Sequence, residues 1–368
     1  MVQKSGKAVI FVFFNIAVVA AILLLCEGAS SLILIAQSAS FDAPVAERIH
    51  TDYDELLGWV NRPDVYIEDM YGPGLDLEIN GQGFRSHRDF APTPPAGQQR
   101  IICSGDSFTL GYGVDNYNNW CYLLDSINPD WQTVNMGQGG YGVGQAYLWF
   151  KRDAGQFEYD VHLFTFITRD FDRMQQTEFL GYGKPLLRIK NDQLVVDNVP
   201  VPRRAFFVPW LTQNSETLKQ INVVRLLVRW VQPEQTAQAN NPRSLNRNPE
   251  QTVAAIVDDL QRINNQKNSR LILVYLPTWG DYDPAQAADT EVWRSYIARL
   301  AQEHNLIFLD LVEEFRRVPP DQLYTLFLHD NEVGFPAAAG HYSVRGNEFV
   351  AQQLYNKLSA LEDFNPSE

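Results

Sequence analysis

Ile101 to Val114 reads IICSGDSFTLGYGV, and the reading of this stretch governs the rest of the chain. It opens as a short apolar run of the kind that forms a buried strand, breaks at Ser104-Gly105-Asp106-Ser107, and continues through Gly111 and Gly113. A serine on the turn at a strand's end is placed for chemistry, because parallel α/β sheets hold their ligands in the crevice beyond the strand C-termini. A helix expected after the turn would aim its backbone N–H groups at the same place.

Further apolar runs at Gln132–Asn135, Val161–Ile167, Leu271–Leu276 and Leu306–Leu309 read as four more strands. Between and after them lie helical patterns at Trp120–Ile127, Thr252–Ile263, Val292–Glu303 and Glu348–Leu358. Strand and helix in alternation imply an α/β fold with a doubly wound parallel sheet.

Four blocks then fall in order along this frame. Gly105-Asp106-Ser107-Phe108 follows the first strand, and Asn135-Met136-Gly137-Gln138-Gly139-Gly140 the second. Thr168-Arg169-Asp170 follows the third, and Gly340-His341-Tyr342-Ser343 precedes the last helix. Together they resemble the conserved blocks of the SGNH (GDSL-type) hydrolases, a family of esterases and carbohydrate deacetylases. The resemblance spans residues 99–170 and 252–360. It implies a three-layer α/β/α, flavodoxin-like fold with strand order 2-1-3-4-5, Ser107 as nucleophile and His341 as its general base. It also implies an oxyanion hole made by the backbone N–H groups of Ser107 and Gly140. In the third block Arg169 stands where the family has its oxyanion-hole asparagine, and an arginine there would donate to an oxyanion or bind an acidic substrate group. Where the family has an aspartate three residues before the histidine, this chain has Ala338. Asp330 and Glu332 are the nearest upstream acids, and either would orient the imidazole if the intervening loop folds back; a Ser-His dyad is the alternative. No metal or cofactor is implied. A phosphate-binding reading of Gly105–Gly113 fails for lack of the Gly-Lys-Ser/Thr ending of a P-loop.

The bulk properties agree with an enzyme of this kind. The 368 residues are 45% hydrophobic, enough for a large core, and 30 Lys and Arg against 44 Asp and Glu give a net charge of -14. That charge would repel a phosphate backbone, which excludes nucleic acid as a partner. Cys26, Cys103 and Cys121 form neither a disulfide framework nor a zinc spacing. Cys103 and Cys121 read as buried thiols, with a bridge between them as the alternative in an oxidising compartment.

Residues 1–40 read as a membrane anchor. Lys4 and Lys7 precede an almost unbroken apolar run from Ala8 to Leu25, long enough to cross a bilayer. A secretory core is usually shorter, so an uncleaved helix is expected, although Ser38 to Ser40 would serve as a cleavage site. The flanking charges place the N-terminus in the cytoplasm and the main domain, from about residue 41, outside it, in the periplasm or extracellular space.

Residues 41–98 read as an accessory layer and linker, with a hairpin of Asp64–Ile67 and Leu75–Ile79 around Gly72-Pro73-Gly74. Residues 99–170 and 252–368 form the core, split by an insertion over 171–251. The insertion holds a small strand pair at Ile189–Val196, an aromatic and basic stretch at Pro202–Leu211, and an amphipathic helix at Leu218–Val231. It suits a lid, a membrane-surface contact, or, through residues 202–231, a surface for a membrane-protein partner. The expected function is therefore that of a membrane-anchored, extracytoplasmic serine esterase or O-acyltransferase acting on acyl groups, acetyl above all, of a polysaccharide or envelope glycan. The competing expectation is a catalytically weak or inactive SGNH-fold protein that serves as an accessory subunit of a membrane complex.

Overall fold

A computed structural model describes residues 11, 13–30, 50–179, 182–201 and 248–361. The chain divides into two units. Of the first, the structure describes the helix Phe13–Ser30, 18 residues of mean hydropathy 2.0 and almost wholly exposed, long and apolar enough to cross a membrane. The aromatic-basic stretch and the helix expected within residues 202–231 lie outside the described residues.

The second unit is built on a five-stranded sheet. Its strands are β5 (Gln99–Gly105), β6 (Trp131–Gly137), β7 (Val161–Phe166), β12 (Arg270–Tyr275) and β13 (Ile307–Asp310). They lie in the order β13-β12-β7-β5-β6, and every neighbouring pair is parallel. Counted along the chain this is 2-1-3-4-5, the flavodoxin-like order. The strands read as apolar runs because both faces are covered, and successive side chains enter opposite layers. Ile102, Val134, Phe164 and Leu273 join one cluster with α3 (Val143–Asp153), α5 (Pro249–Gln266) and α6 (Ala287–Glu303). Ile101, Cys103, Leu163 and Ile272 join another with α2 (Trp120–Ile127) and α7 (Val344–Ser359). Cys103 and Cys121 are both buried free thiols in that second layer.

The N-terminal segment of this unit forms two hairpins, β1 (Thr51–Asp54) with β2 (Gly58–Asn61) and β3 (Val65–Ile67) with β4 (Leu77–Ile79). They pack on the loops at the C-terminal ends of β5 and β6. Trp59 Nε1 donates to the Gly139 carbonyl at 2.9 Å, and the Tyr141 hydroxyl donates to the Trp59 carbonyl at 2.6 Å. Arg85, buried, donates through Nη1 to the Leu110 carbonyl at 2.8 Å and through Nη2 to the Val114 carbonyl at 2.6 Å. The guanidinium thus ties down the loop that follows Ser107. After β7 come the short pair β8 (Glu178–Phe179) and β9 (Tyr182–Gly183) and the hairpin β10 (Leu186–Lys190) with β11 (Gln193–Asp197).

Candidate active site

The turn after β5 is shaped by two residues. A Cβ on Gly105 would lie 2.2 Å from Thr165 Oγ1 and 2.3 Å from Thr109 Oγ1, so only glycine lets the strand end so close to β7. Asp106 then caps α1 (Ser107–Leu110), its carboxylate accepting the Phe108 N–H at 2.9 Å. The expected helix is a single turn, closed by Gly111 at φ 90°, and the longer α2 begins only at Trp120.

His341 reaches this turn from just before α7. Its Nε2 lies 2.7 Å from Ser107 Oγ, and its Nδ1 lies 3.2 Å from the Ala338 carbonyl oxygen. A carbonyl can only accept, so Nδ1 carries the proton and Nε2 presents a lone pair to the serine hydroxyl. Phe108 stacks on the imidazole at 4.5 Å between ring centres, and Tyr112 lies at 5.3 Å. Burial, and secondarily the charge of Arg173, push the His341 pKa down to about 4, against the pull of the Ala338 and Ala339 carbonyls.

The acid expected behind the histidine is not there. Glu332 accepts the His329 N–H at 2.9 Å, and Asp330 lines a cleft beside Gly340; among the described residues neither bonds to His341. The physical reason is the short helical turn Pro336–Ala338, which ends directly under the imidazole and brings a backbone carbonyl where a carboxylate would sit.

Gly140 has φ +74°, and a Cβ there would run into the Phe179 ring at 2.6 Å. Among the described residues the backbone N–H groups of Ser107 and Gly140 donate to no hydrogen bond. Two such donors on neighbouring strand-end loops suit a developing oxyanion.

Arg169 is exposed, and the structure does not bring it to these groups. The guanidinium that arrives is that of Arg173, one turn further along α4 (Thr168–Arg173). Its Nη1 donates to Asp170 Oδ1 at 2.9 Å, Asp106 Oδ2 at 3.1 Å and the Tyr141 carbonyl at 3.2 Å. One nitrogen thereby joins the three loops that follow β5, β6 and β7. The ring of Phe179 lies 5.1 Å from the Arg173 guanidinium carbon. Asp170 is buried, and burial together with the Asp106 charge pushes its pKa well up, with Arg173 opposing. Lys184, also buried, donates to the Arg173 carbonyl at 2.6 Å, and burial drives its pKa well down. Sequence reading missed Arg173, although its i,i+3 spacing from Asp170 on a helix is the signal of such a pair.

Among the described residues no group of three or more His, Cys, Asp or Glu is placed to hold a metal ion. A cleft of about 480 Å³ lies around Gln99, Asp160, Arg270 and Ile307, at the N-terminal ends of the strands and away from Ser107. In a parallel sheet that end is not where ligands are held.

No protein-family model and no curated protein sequence matches the chain. Several solved structures are similar to it. A member of the lipolytic protein G-D-S-L family from Veillonella parvula is 15% identical, covering 72% of this chain and 100% of its own, with a TM-score of 0.39. The lipase/acylhydrolase from Enterococcus faecalis is 11% identical, with 71% and 95% covered and a TM-score of 0.39. The acetyl xylan esterase AlAXEase is 15% identical, with 70% and 99% covered and a TM-score of 0.39.

Proposed function

We propose that the chain is an SGNH-type serine esterase or O-acyltransferase, held to a membrane by the Phe13–Ser30 helix with its α/β domain outside the cytoplasm. Its substrates in this reading are acyl groups, acetyl above all, on a polysaccharide or envelope glycan. The observation that carries the reading is the 2.7 Å contact of Ser107 Oγ with a His341 Nε2 whose lone pair is fixed by the carbonyl behind Nδ1.

In the mechanism, Ser107 attacks the ester carbonyl while His341 takes its proton. The N–H groups of Ser107 and Gly140 receive the oxyanion, and the nearby Arg173 charge favours it. His341 returns the proton to the leaving alcohol, and the acyl-enzyme passes its acyl group to water or to a second hydroxyl. The carbonyl of Ala338 holds the tautomer but carries no full charge to stabilise the imidazolium. Removing the acid costs about 10⁴-fold in serine proteases, where the tautomer is lost as well, so a smaller penalty and a slow turnover follow here.

The test is hydrolysis of 4-nitrophenyl acetate and labelling by a fluorophosphonate, on the full chain in detergent, both lost in Ser107→Ala. Lys4 and Lys7 support the orientation, and protease added to intact cells should digest the main domain; protection would refute it. The neutral partner at His341 Nδ1 also favours a second reading, an inactive accessory subunit of a membrane complex joined through residues 202–231. Folded wild type with background turnover and no labelling would select it, as would membrane complexes on native gels that survive Ser107→Ala and dissolve on deletion of 202–231.

A further inference from the structure

With His341 as the acid that protonates the alcohol departing as the acyl-enzyme forms, the leaving alcohol must sit on the histidine's side of the scissile bond. Beside the residues leading into His341 the chain has an open cleft of about 230 Å³, lined in part by Ala339 and Gly340. It begins past the C-terminal end of β12, the end at which ligands bind in such sheets. Trp279 and Tyr324 stand in it 40% and 51% exposed, with ring centres 5.9 Å apart and planes at 89°. Phe327, buried, supports the indole edge-on at 5.8 Å, and His329 stacks on Tyr324 at 3.4 Å, which fixes both exposed rings in place. Beside them are the exposed carboxylate of Asp330 and the backbone of Gly340.

The composition selects among occupants. A fatty chain would demand an enclosed apolar channel, and this cleft is open, with a carboxylate in it. An anion would meet Asp330 and a net charge of -14. A neutral ring with an apolar face and a rim of hydroxyl donors uses every feature: aromatic surface for its C–H face, carboxylate and carbonyl oxygens for its hydroxyls. The volume lies below the roughly 300–1,000 Å³ of an enclosed small-molecule site, which suits one ring rather than a whole oligomer. We infer that this cleft is the leaving-group subsite and binds a single pyranose ring of the acylated glycan through Trp279, Tyr324 and Asp330. The inference rests on the esterase reading above and adds the part of the substrate that the Ser107–His341 pair leaves unspecified.

Two acetyl esters that differ only in the alcohol test it: ethyl acetate, whose alcohol leaves the cleft empty, and methyl 6-O-acetyl-glucopyranoside. Trp279→Ala should lower kcat/KM for the sugar ester about tenfold, the worth of one aromatic contact, and leave ethyl acetate, whose alcohol is too small to reach the indole, within about twofold. Trp279→Phe should recover part of the loss. Equal changes on both esters, or none on the sugar ester, would overturn the assignment. A titration of tryptophan fluorescence with the same sugar ester, on Ser107→Ala, reads binding without turnover. Saturable quenching that disappears in the Ser107→Ala, Trp279→Phe double variant supports the subsite, and its absence from a folded protein overturns it. If neither ester is hydrolysed, the esterase reading fails and the titration still decides the subsite.

Discussion

Among the described residues, two serine–histidine pairs are of nearly equal length. Ser107 and His341 meet at 2.7 Å at the mouth of the sheet, and Ser104 and His162 meet at 2.6 Å inside it, where β5 passes β7. What separates them is the partner of the far ring nitrogen. Nδ1 of His162 faces the Asn264 amide nitrogen at 3.3 Å. That amide is oriented by its own bonds, Nδ2 donating to the Leu260 carbonyl at 2.7 Å and Oδ1 accepting from Ser269 at 3.3 Å. Nδ1 of His162 must therefore accept, its proton sits on Nε2, and the ring donates to Ser104. His341 has a carbonyl at that position and the opposite tautomer. One ring is a base toward its serine and the other a donor, so a short Oγ–Nε2 distance alone does not mark a catalytic pair.

The comparison can be broken most sharply by paired alanines. Ser107→Ala and His341→Ala should each reduce ester hydrolysis to the uncatalysed background, while Ser104→Ala should leave kcat within a few-fold. Its cost should instead appear as about 1–3 kcal/mol in denaturant unfolding, because the His162 N–H loses its acceptor in a fully buried site. A Ser104→Ala protein that is stable but inactive would reverse the assignment of roles.

Next in size is Arg173→Gln, expected to lower kcat by about 10²- to 10³-fold if the guanidinium helps the oxyanion. It should also destabilise the fold, since the buried Asp106 and Asp170 lose their counter-charge. Unchanged kcat in a folded variant would reduce Arg173 to a structural tie between loops.

The pH dependence follows from His341. The base must be neutral, and with its pKa near 4 the rate should hold down to about pH 4 to 5 instead of failing near the ordinary imidazole value of 6.5. Stability runs the other way. Below 6.5 the unfolded chain binds a proton that the folded protein refuses until about 4, so stability falls as pH drops through that window. His162, whose pKa burial also depresses, adds to this stability loss and not to the rate. A kcat/KM profile with its acid limb near 6.5 would contradict the assignment. The smallest effect belongs to Asp330→Ala and Glu332→Ala on 4-nitrophenyl acetate, within about twofold each, since neither carboxylate orients the imidazole; a hundredfold loss would restore the acid.

How much of this was readable in advance depended on where the physics left its mark. The five strands were legible because burial on two faces writes an apolar run, and the strand order came with the resemblance. Ser107 and His341 were legible as members of short blocks. The first hairpin escaped because Thr51–Asp54 is polar and is held by the packing of Trp59 rather than by its own pattern. A backbone carbonyl under the histidine has no letter in the sequence, so Ala338 could only look like a missing acid. Arg173 acts where three distant loops meet, and spacing from a single strand pointed to Arg169 instead. The Ser104–His162 pair was hidden for the same reason, each residue sitting inside a run that reads only as strand.

The serine and its base stand 234 positions apart, and the chain between them includes the last four strands of the sheet. Closing so long a loop is among the late and slow steps of assembly. A polypeptide emerging N-terminus first would carry Ser107 as an ordinary hydroxyl until the segment before α7 has docked. Activity would then report completion: a chain clipped before residue 341 could keep much of its hydrophobic interior and yet offer no reactive oxygen, so the fraction labelled by a fluorophosphonate would count finished molecules rather than total protein.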